Sequence, residues 1–219
     1  MHRQRLALQA RRQRLLLRPL GGPVRLALPQ PGGRLLPGAL PRPDGGRQPV
    51  GEPRQRRFHR GRLIHRLLEI LPDVADNQRQ RAARDFLAQP AYGLLPNDID
   101  HIVQQITDIL TAPDFVEIFS QNSRAEVPIV GLVGRTAISG QVDRLVVLDH
   151  EVLIVDYKTN RPPPKDAADI PRIYVRQMAA YRAILSEIYP GKVIKCLLLW
   201  TDVARLMVVP DTSLVQIKL

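Results

Sequence analysis

Nine prolines and eight glycines fall within the first 60 residues, and their spacing decides where this 219-residue chain can fold. Pairs such as Gly21-Gly22, Gly32-Gly33 and Gly45-Gly46, with prolines between them, break a helix or strand before it can propagate. The same stretch has one aromatic residue, Phe58, and neither isoleucine nor serine, so it has little with which to build a core. Residues 1–57 therefore read as a disordered low-complexity tail, and residues 58–219 as one domain of ordinary size.

Charge follows the same divide. The formal net charge of +11 invites the reading of a basic nucleic-acid binder. Residues 1–60, however, hold 14 arginines, no lysine and two acids, a net of +12, whereas the other 159 residues hold 18 basic and 19 acidic side chains, a net of −1. The prospective domain is nearly neutral. Three readings compete for the tail: an arm that grips phosphates through arginine, an organelle-targeting peptide, and a linker or non-native start such as translated GC-rich sequence outside the true frame. Cys196 is the one cysteine, which excludes an internal disulfide and fits a reducing compartment. No apolar run approaches the roughly 20 residues that a membrane span needs.

Past Phe58 the periodicity becomes regular. Leu63, Ile64, Leu67, Leu68 and Leu71 form a helical stripe from Gly61 onward, ended by Pro72. Residues 77–89 and 98–110 give two more amphipathic helices, carrying Ala82, Phe86 and Leu87, and then Ile99, Ile102, Val103, Ile106 and Leu110; Asp98 helps to open the second. The texture then turns β-branched. Strands are expected over 125–130, 136–148 and 152–157, separated by Gly131, Gly134 and the turn at Asp149-His150-Glu151. A long helix over 172–189 and strands over 193–200 and 205–209 complete an α/β (α+β) domain with a central mixed sheet and a helical N-terminal part.

The chemistry concentrates in one hairpin. If a two-residue loop joins the strands at the Asp149 turn, Leu148 faces Glu151 and Asp143 faces Asp156; a three-residue loop shifts the partner by one and leaves the two aspartates adjacent. Lys158 shares the face of Asp156 because side chains alternate along a strand. Two carboxylates and an ammonium group then converge among Val, Leu and Ile. Like charges facing each other on a sheet repel, and burial makes each ion more costly. A solvated hairpin edge with a salt bridge is one reading. The other is a divalent cation between the carboxylates, and hard oxygen ligands suit Mg²⁺ or Mn²⁺. Such a cation polarises a phosphoryl oxygen and acidifies water, with Lys158 placed to orient that water or stabilise the transition state, so phosphodiester hydrolysis is the reaction these groups best support.

Four segments in order resemble the PD-(D/E)XK nuclease superfamily, and within it the RecB-like nuclease domains. Gly61-Arg62-Leu63-Ile64-His65 resembles the upstream helix whose histidine binds metal, Gly140-Gln141-Val142-Asp143 the first acidic motif, Asp156-Tyr157-Lys158-Thr159 the D-x-K motif, and Gln177-Met178-Ala179-Ala180-Tyr181 the Q-x-x-x-Y motif. The segment Leu199-Trp200-Thr201-Asp202 looks like the nuclease end of the helicase–nuclease subunit AddA. The resemblance implies a restriction-endonuclease-like core and Mg²⁺ (Mn²⁺ in its place) held by His65, Asp143, Asp156 and the carbonyl of Tyr157. It implies catalysis by Asp143, Asp156 and Lys158, and DNA-binding or supporting roles for Gln177, Tyr181 and Glu126. It also implies a DNA substrate, a helicase or helicase–nuclease partner subunit, a role in double-strand break repair, and a place in the bacterial cytoplasm. A detached, non-catalytic fragment that binds DNA or a helicase is the competing reading, since no G-x-x-x-x-G-K-[ST] occurs: Gly131-Leu132-Val133-Gly134-Arg135-Thr136 lacks both the spacing and the lysine.

Overall fold

The structure, a computed structural model, describes residues 54–219 and the side chains of residues 59–219. All of the expected tail before Arg54 lies outside the described residues. Helix α1 (Arg54–Ile70) begins ahead of Gly61, and a single 3-10 turn, Leu71–Asp73, follows at Pro72. Helices α2 (Asp76–Leu87) and α3 (Pro96–Thr111) complete the N-terminal part. The five residues of the expected stripe, four in α1 and Leu71 in the 3-10 turn, are all buried, and they meet Ala83 and Leu87 of α2 and Ile102, Val103, Ile106 and Ile109 of α3. Helix α3 starts two residues before Asp98, because Pro96 occupies its first position and presets φ there; Asp98 contributes its negative charge to the first turn.

A five-stranded mixed sheet follows. Its strands are β1 (Ser123–Val133), β2 (Thr136–Val147), β3 (Glu151–Lys158), β4 (Val193–Trp200) and β5 (Arg205–Val208), side by side in that order. Helix α4 (Arg172–Ile188) connects β3 to its parallel neighbour β4; the other neighbours are antiparallel. A short helix, α5 (Asp211–Val215), follows the last strand; no periodicity in so brief a segment marks it. Gly131 lies inside β1, where a turn was expected. A Cβ there would come within 3.0 Å of Ile184, so the glycine lets α4 approach the strand, while Gly134, at φ 60°, makes the actual turn.

The sheet separates two cores. On one face α4 packs over Ile129, Ile138, Val152, Ile154, Ile194, Cys196, Leu198 and Trp200. On the other α1, α2 and α3 pack over Val146, Leu153, Val155, Leu197 and Leu199. Arg144 pins the second core to the sheet. Its guanidinium donates to the Leu68 carbonyl at 2.6 Å, the Tyr157 hydroxyl at 2.9 Å and Ser123 Oγ at 2.9 Å, and lies 4.9 Å from the centre of the Phe119 ring. The Leu68 carbonyl is in the last turn of α1 and lacks a partner within its own helix, so Arg144 caps the helix that carries His65. Among the described residues, no helix is long and apolar enough to cross a membrane. Replacing Arg144 with Ala strands a buried carbonyl and a buried phenol; a loss of about 3 kcal/mol in unfolding free energy is expected by urea denaturation.

Candidate active site

The register of the β2–β3 hairpin sets the site. Arg144 faces Val155 and Val147 faces Val152, and the Leu148 amide donates to the Glu151 carbonyl at 2.9 Å, which is the two-residue-loop alignment. The ladder ends at Arg144 and Val155, one position short of Asp143 and Asp156. In an antiparallel ladder main-chain groups point to a given neighbour at every second residue, so Tyr157 turns its N–H and C=O toward β2. Its N–H goes to the carboxylate of Asp143, at 2.7 Å from Oδ2. The strands part here, and Asp143 stands in the opening.

A second irregularity fixes where Asp143 points. Ile138 and Val142 pack on the α4 face, and so does Leu145, so side-chain alternation along β2 reverses between Val142 and Leu145. The same reversal occurs in β1: Ser123 reaches Arg144 on the α1 face, whereas Val127 and Ile129 pack on the α4 face. Pairing between these strands skips only Glu126 and Asp143, and Glu126 has φ 52°, a left-handed conformation uncommon for a residue with a Cβ. Strain of this kind is held by the surrounding ladder. Its result is that ligand atoms of Glu126, Asp143 and His65 lie within 4.8 Å of one another. His65 Nδ1 is 3.3 Å from Asp143 Oδ1, and the imidazole meets the Tyr157 ring edge-on, centroids 5.4 Å apart.

Asp156 and Lys158 take the α4 side of the opening, and Asp156 is outside the His65–Glu126–Asp143 group. Lys158 pairs with Asp156 Oδ2 and donates to Gln177 Oε1 at 3.2 Å. Gln177 Nε2 donates to Asp156 Oδ1 at 2.9 Å and to the Tyr181 hydroxyl at 3.1 Å, and that hydroxyl donates to the Gln141 carbonyl at 3.2 Å. All the sequence-predicted site residues thus meet in one region, with Gln177 and Tyr181 in contact with it directly or through each other. Sequence reasoning missed Tyr174, whose ring centre is 4.1 Å from Lys158 Nζ. Its signal was its place one turn before Gln177 on the same helix.

The three charged groups are nearly sealed from solvent: Asp143, Asp156 and Lys158 are 5%, 3% and 7% exposed. Burial alone would raise the pKa of Asp143, but His65, the Tyr157 N–H and Lys158 hold it below the ordinary carboxylate value. For Asp156 burial prevails, with Asp143 adding to it against Lys158, and its pKa is raised. Burial would lower the pKa of His65; Asp143 and Asp156 overcome that and raise it. The Oδ2 atom of Asp156 makes its ion pair with Lys158 but accepts no aligned hydrogen bond. A buried carboxylate oxygen with lone pairs to spare, beside two further carboxylates and an imidazole, is a donor set that fits a hard divalent cation.

A family model described as "PD-(D/E)XK nuclease superfamily" matches residues 40–208. The chain belongs to this superfamily. Its members are typically metal-dependent nucleases, and the mixed sheet flanked by helices is the restriction-endonuclease-like α/β fold. Solved structures that resemble the chain include SSO0001, at 12% identity over 73% of this chain and 81% of that one with a TM-score of 0.33. Another is protein VC1899 from Vibrio cholerae, at 10% identity over 69% of this chain and 48% of that one with a TM-score of 0.26, so the match spans about half of VC1899. A search of curated proteins finds no match to this chain.

Gly140 carries a testable consequence of this packing. A Cβ there would lie 2.6 Å from Tyr181 Cε1 and 2.7 Å from its hydroxyl oxygen, so the ring of Tyr181 occupies the space that a side chain would need. Gly140→Ala is expected to cost about 1–3 kcal/mol in stability through overpacking. Tyr181→Ala is destabilising in its own right, but in that background Gly140→Ala should cost less than it does in the wild type, a coupling read from thermal unfolding of the single and double variants.

Proposed function

We propose that this chain is a Mg²⁺-dependent deoxyribonuclease domain, an exonuclease of the RecB/AddA type that works in double-strand break repair with a helicase partner in the bacterial cytoplasm. Family membership supports the nuclease reading. The observation that carries it to these residues is the buried carboxylate of Asp156, ion-paired with Lys158 through Oδ2, across the strand opening from His65, Glu126 and Asp143. The repair role, the helicase partner and the compartment rest on the resemblance of the four motifs and of the Leu199-Trp200-Thr201-Asp202 segment.

His65, Asp143, Asp156 and the Tyr157 carbonyl would hold the cation, with Glu126 as a further carboxylate ligand. When bound, the cation supplies Lewis-acid polarisation of the scissile phosphate and lowers the pKa of water. Asp143 is kept ionised by His65 and the Tyr157 amide, so it needs no proton loss to act as a ligand. Lys158 is a point charge held at the edge of the carboxylate pair, where it can orient the attacking water or stabilise negative charge accumulating on the phosphoryl oxygens. Gln177 donates to Asp156 and accepts from Lys158, which sets the two at a fixed spacing. Tyr181 braces Gln177 against β2.

The test is hydrolysis of single- and double-stranded DNA by the purified chain, with and without Mg²⁺. Lys158→Ala and Asp156→Ala are each expected to lower the rate by about 10²-fold or more while the circular dichroism spectrum is kept. Metal-dependent cutting that persists in Asp156→Ala would remove the site assignment. A folded chain that neither cuts DNA nor binds Mg²⁺ by calorimetry would favour the non-catalytic fragment.

The segment ahead of the domain makes a separate prediction. Residues 1–53 hold ten arginines and two acids, a net of +8, whereas residues 54–219 hold 22 basic and 19 acidic side chains, a net of +3, so the arginines before the domain should supply most of the phosphate neutralisation. Deleting residues 1–53 is expected to flatten the dependence of DNA affinity on salt; an unchanged slope would place the contacts on the domain.

A further inference from the structure

We infer that Tyr174 is a positioning residue for Lys158, its aromatic face holding the ammonium group at the carboxylate pair. The inference rests on the reading of Lys158 as a participant in phosphodiester hydrolysis. Lysine carries its charge on a flexible four-carbon stem, so a lysine that acts at one point needs restraint on more than one side. Asp156 and Gln177 provide two sides by charge and hydrogen bond. The third is the ring of Tyr174, whose centre is 4.1 Å from Nζ, well inside the range in which an aromatic face attracts a cation.

The ring is itself fixed. Tyr174 is 1% exposed. Its hydroxyl donates to Asn160 Oδ1 at 2.8 Å, two residues beyond Lys158, so the phenol ties α4 to the segment leaving β3. On β4, Trp200 is the register partner of Lys158, and its ring lies 6.1 Å from that of Tyr174 at a tilt of 60°. Tyr174 and Gln177 stand one turn apart on α4, so a single helix face presents an aromatic surface and a carbonyl acceptor to the same ammonium group. Removing the ring would open space into which the stem can swing, while Asp143 and His65 would keep each other, Asp143 its Tyr157 amide and Asp156 its hydrogen bond from Gln177. The expected loss therefore falls on turnover and leaves metal binding in place.

The experiment compares the wild-type chain with Tyr174→Phe, Tyr174→Leu and Tyr174→Met. A proton over an aromatic face resonates upfield, so the Lys158 methylene next to Nζ should be displaced upfield in lysine-labelled wild-type protein; the chain has only five lysines, and Lys158→Arg assigns the signal. Tyr174→Phe keeps the ring and is expected to keep both the shift and kcat. Tyr174→Leu should lose the shift and lower kcat by about 10- to 100-fold, the scale of a small displacement of a reacting group, with KM and Mg²⁺ affinity unchanged. Should the leucine variant not fold, Tyr174→Met fills the space with an apolar, adaptable side chain and makes the same prediction. An undisplaced Lys158 signal in the wild type overturns the inference, as does a kcat that survives loss of the ring. A Tyr174→Phe variant as impaired as Tyr174→Leu also overturns it, since the hydroxyl bond to Asn160 would then be the operative feature. If the wild-type chain cuts no DNA while the signal is displaced and loses its displacement with the ring, the nuclease reading fails and the contact stands.

Discussion

The hydrogen bond from the Tyr157 amide to Asp143, 2.7 Å long, lies where the sheet divides, and the geometry of the site follows from it. A buried amide must have a partner, and in a continuing ladder that partner would be a carbonyl of β2. Here a carboxylate takes the place of the carbonyl. The two strands can then part without leaving the amide unpaired, and the ionised form of Asp143 is stabilised by the bond that holds it. The Tyr157 carbonyl faces the same opening. One substitution of acceptor thus supplies a gap, an anion in the gap and a main-chain oxygen beside it.

Placing that many charges under cover is expensive, and the structure offsets the cost unevenly. Asp143 is matched on several sides by His65, the amide and Lys158, and burial does not succeed in neutralising it. Asp156 has one hydrogen bond from Gln177 and a charge contact from Lys158, and burial does raise its pKa. Net charge explains the difference. Two carboxylates share essentially one lysine and one titratable imidazole, so full ionisation leaves the second carboxylate under-compensated whenever His65 is neutral. A divalent cation would supply the missing positive charge, so an arrangement that is poor as a salt bridge has the donor chemistry that suits a metal ion. Glu126, forced into a left-handed conformation to join the group, adds to that demand.

How far this was legible from sequence depended on whether a feature is periodic. The stripe of α1, the extent of α4 and the register of the β2–β3 hairpin follow from repeat spacing and turn length, and each is found as expected to within a few residues. The reversal of alternation at Glu126 and Asp143 is not periodic. It depends on one glutamate with positive φ, where sequence rules look for glycine. Conversely, Gly131 read as a turn because glycine in a strand has two uses, and only the position of Ile184 shows that this one serves close packing. The grouping of Glu126 with His65 and Asp143, and the separation of Asp156 from them, therefore required the backbone. Arg144 escaped notice for a related reason: an arginine inside an acidic motif reads as a solvent-facing neighbour, while the reversal beside it turns this one into the core.

Arg144 and Asp143 are adjacent, and their opposite tasks explain how a strained site persists. The reversal that brings the Asp143 carboxylate to the strand opening also sends the next side chain into the α1 face. There Arg144 caps α1, holds the Tyr157 hydroxyl and stacks on Phe119. The helix it caps carries His65, and the tyrosine it holds carries the amide that bonds Asp143. Strain at Glu126 is therefore opposed by a buried network whose members cannot relax independently: releasing the kink would withdraw Arg144 from the helix, and withdrawing Arg144 would free the helix that presents the imidazole. The geometry of the site and the joint between the two cores are thus set by consecutive residues.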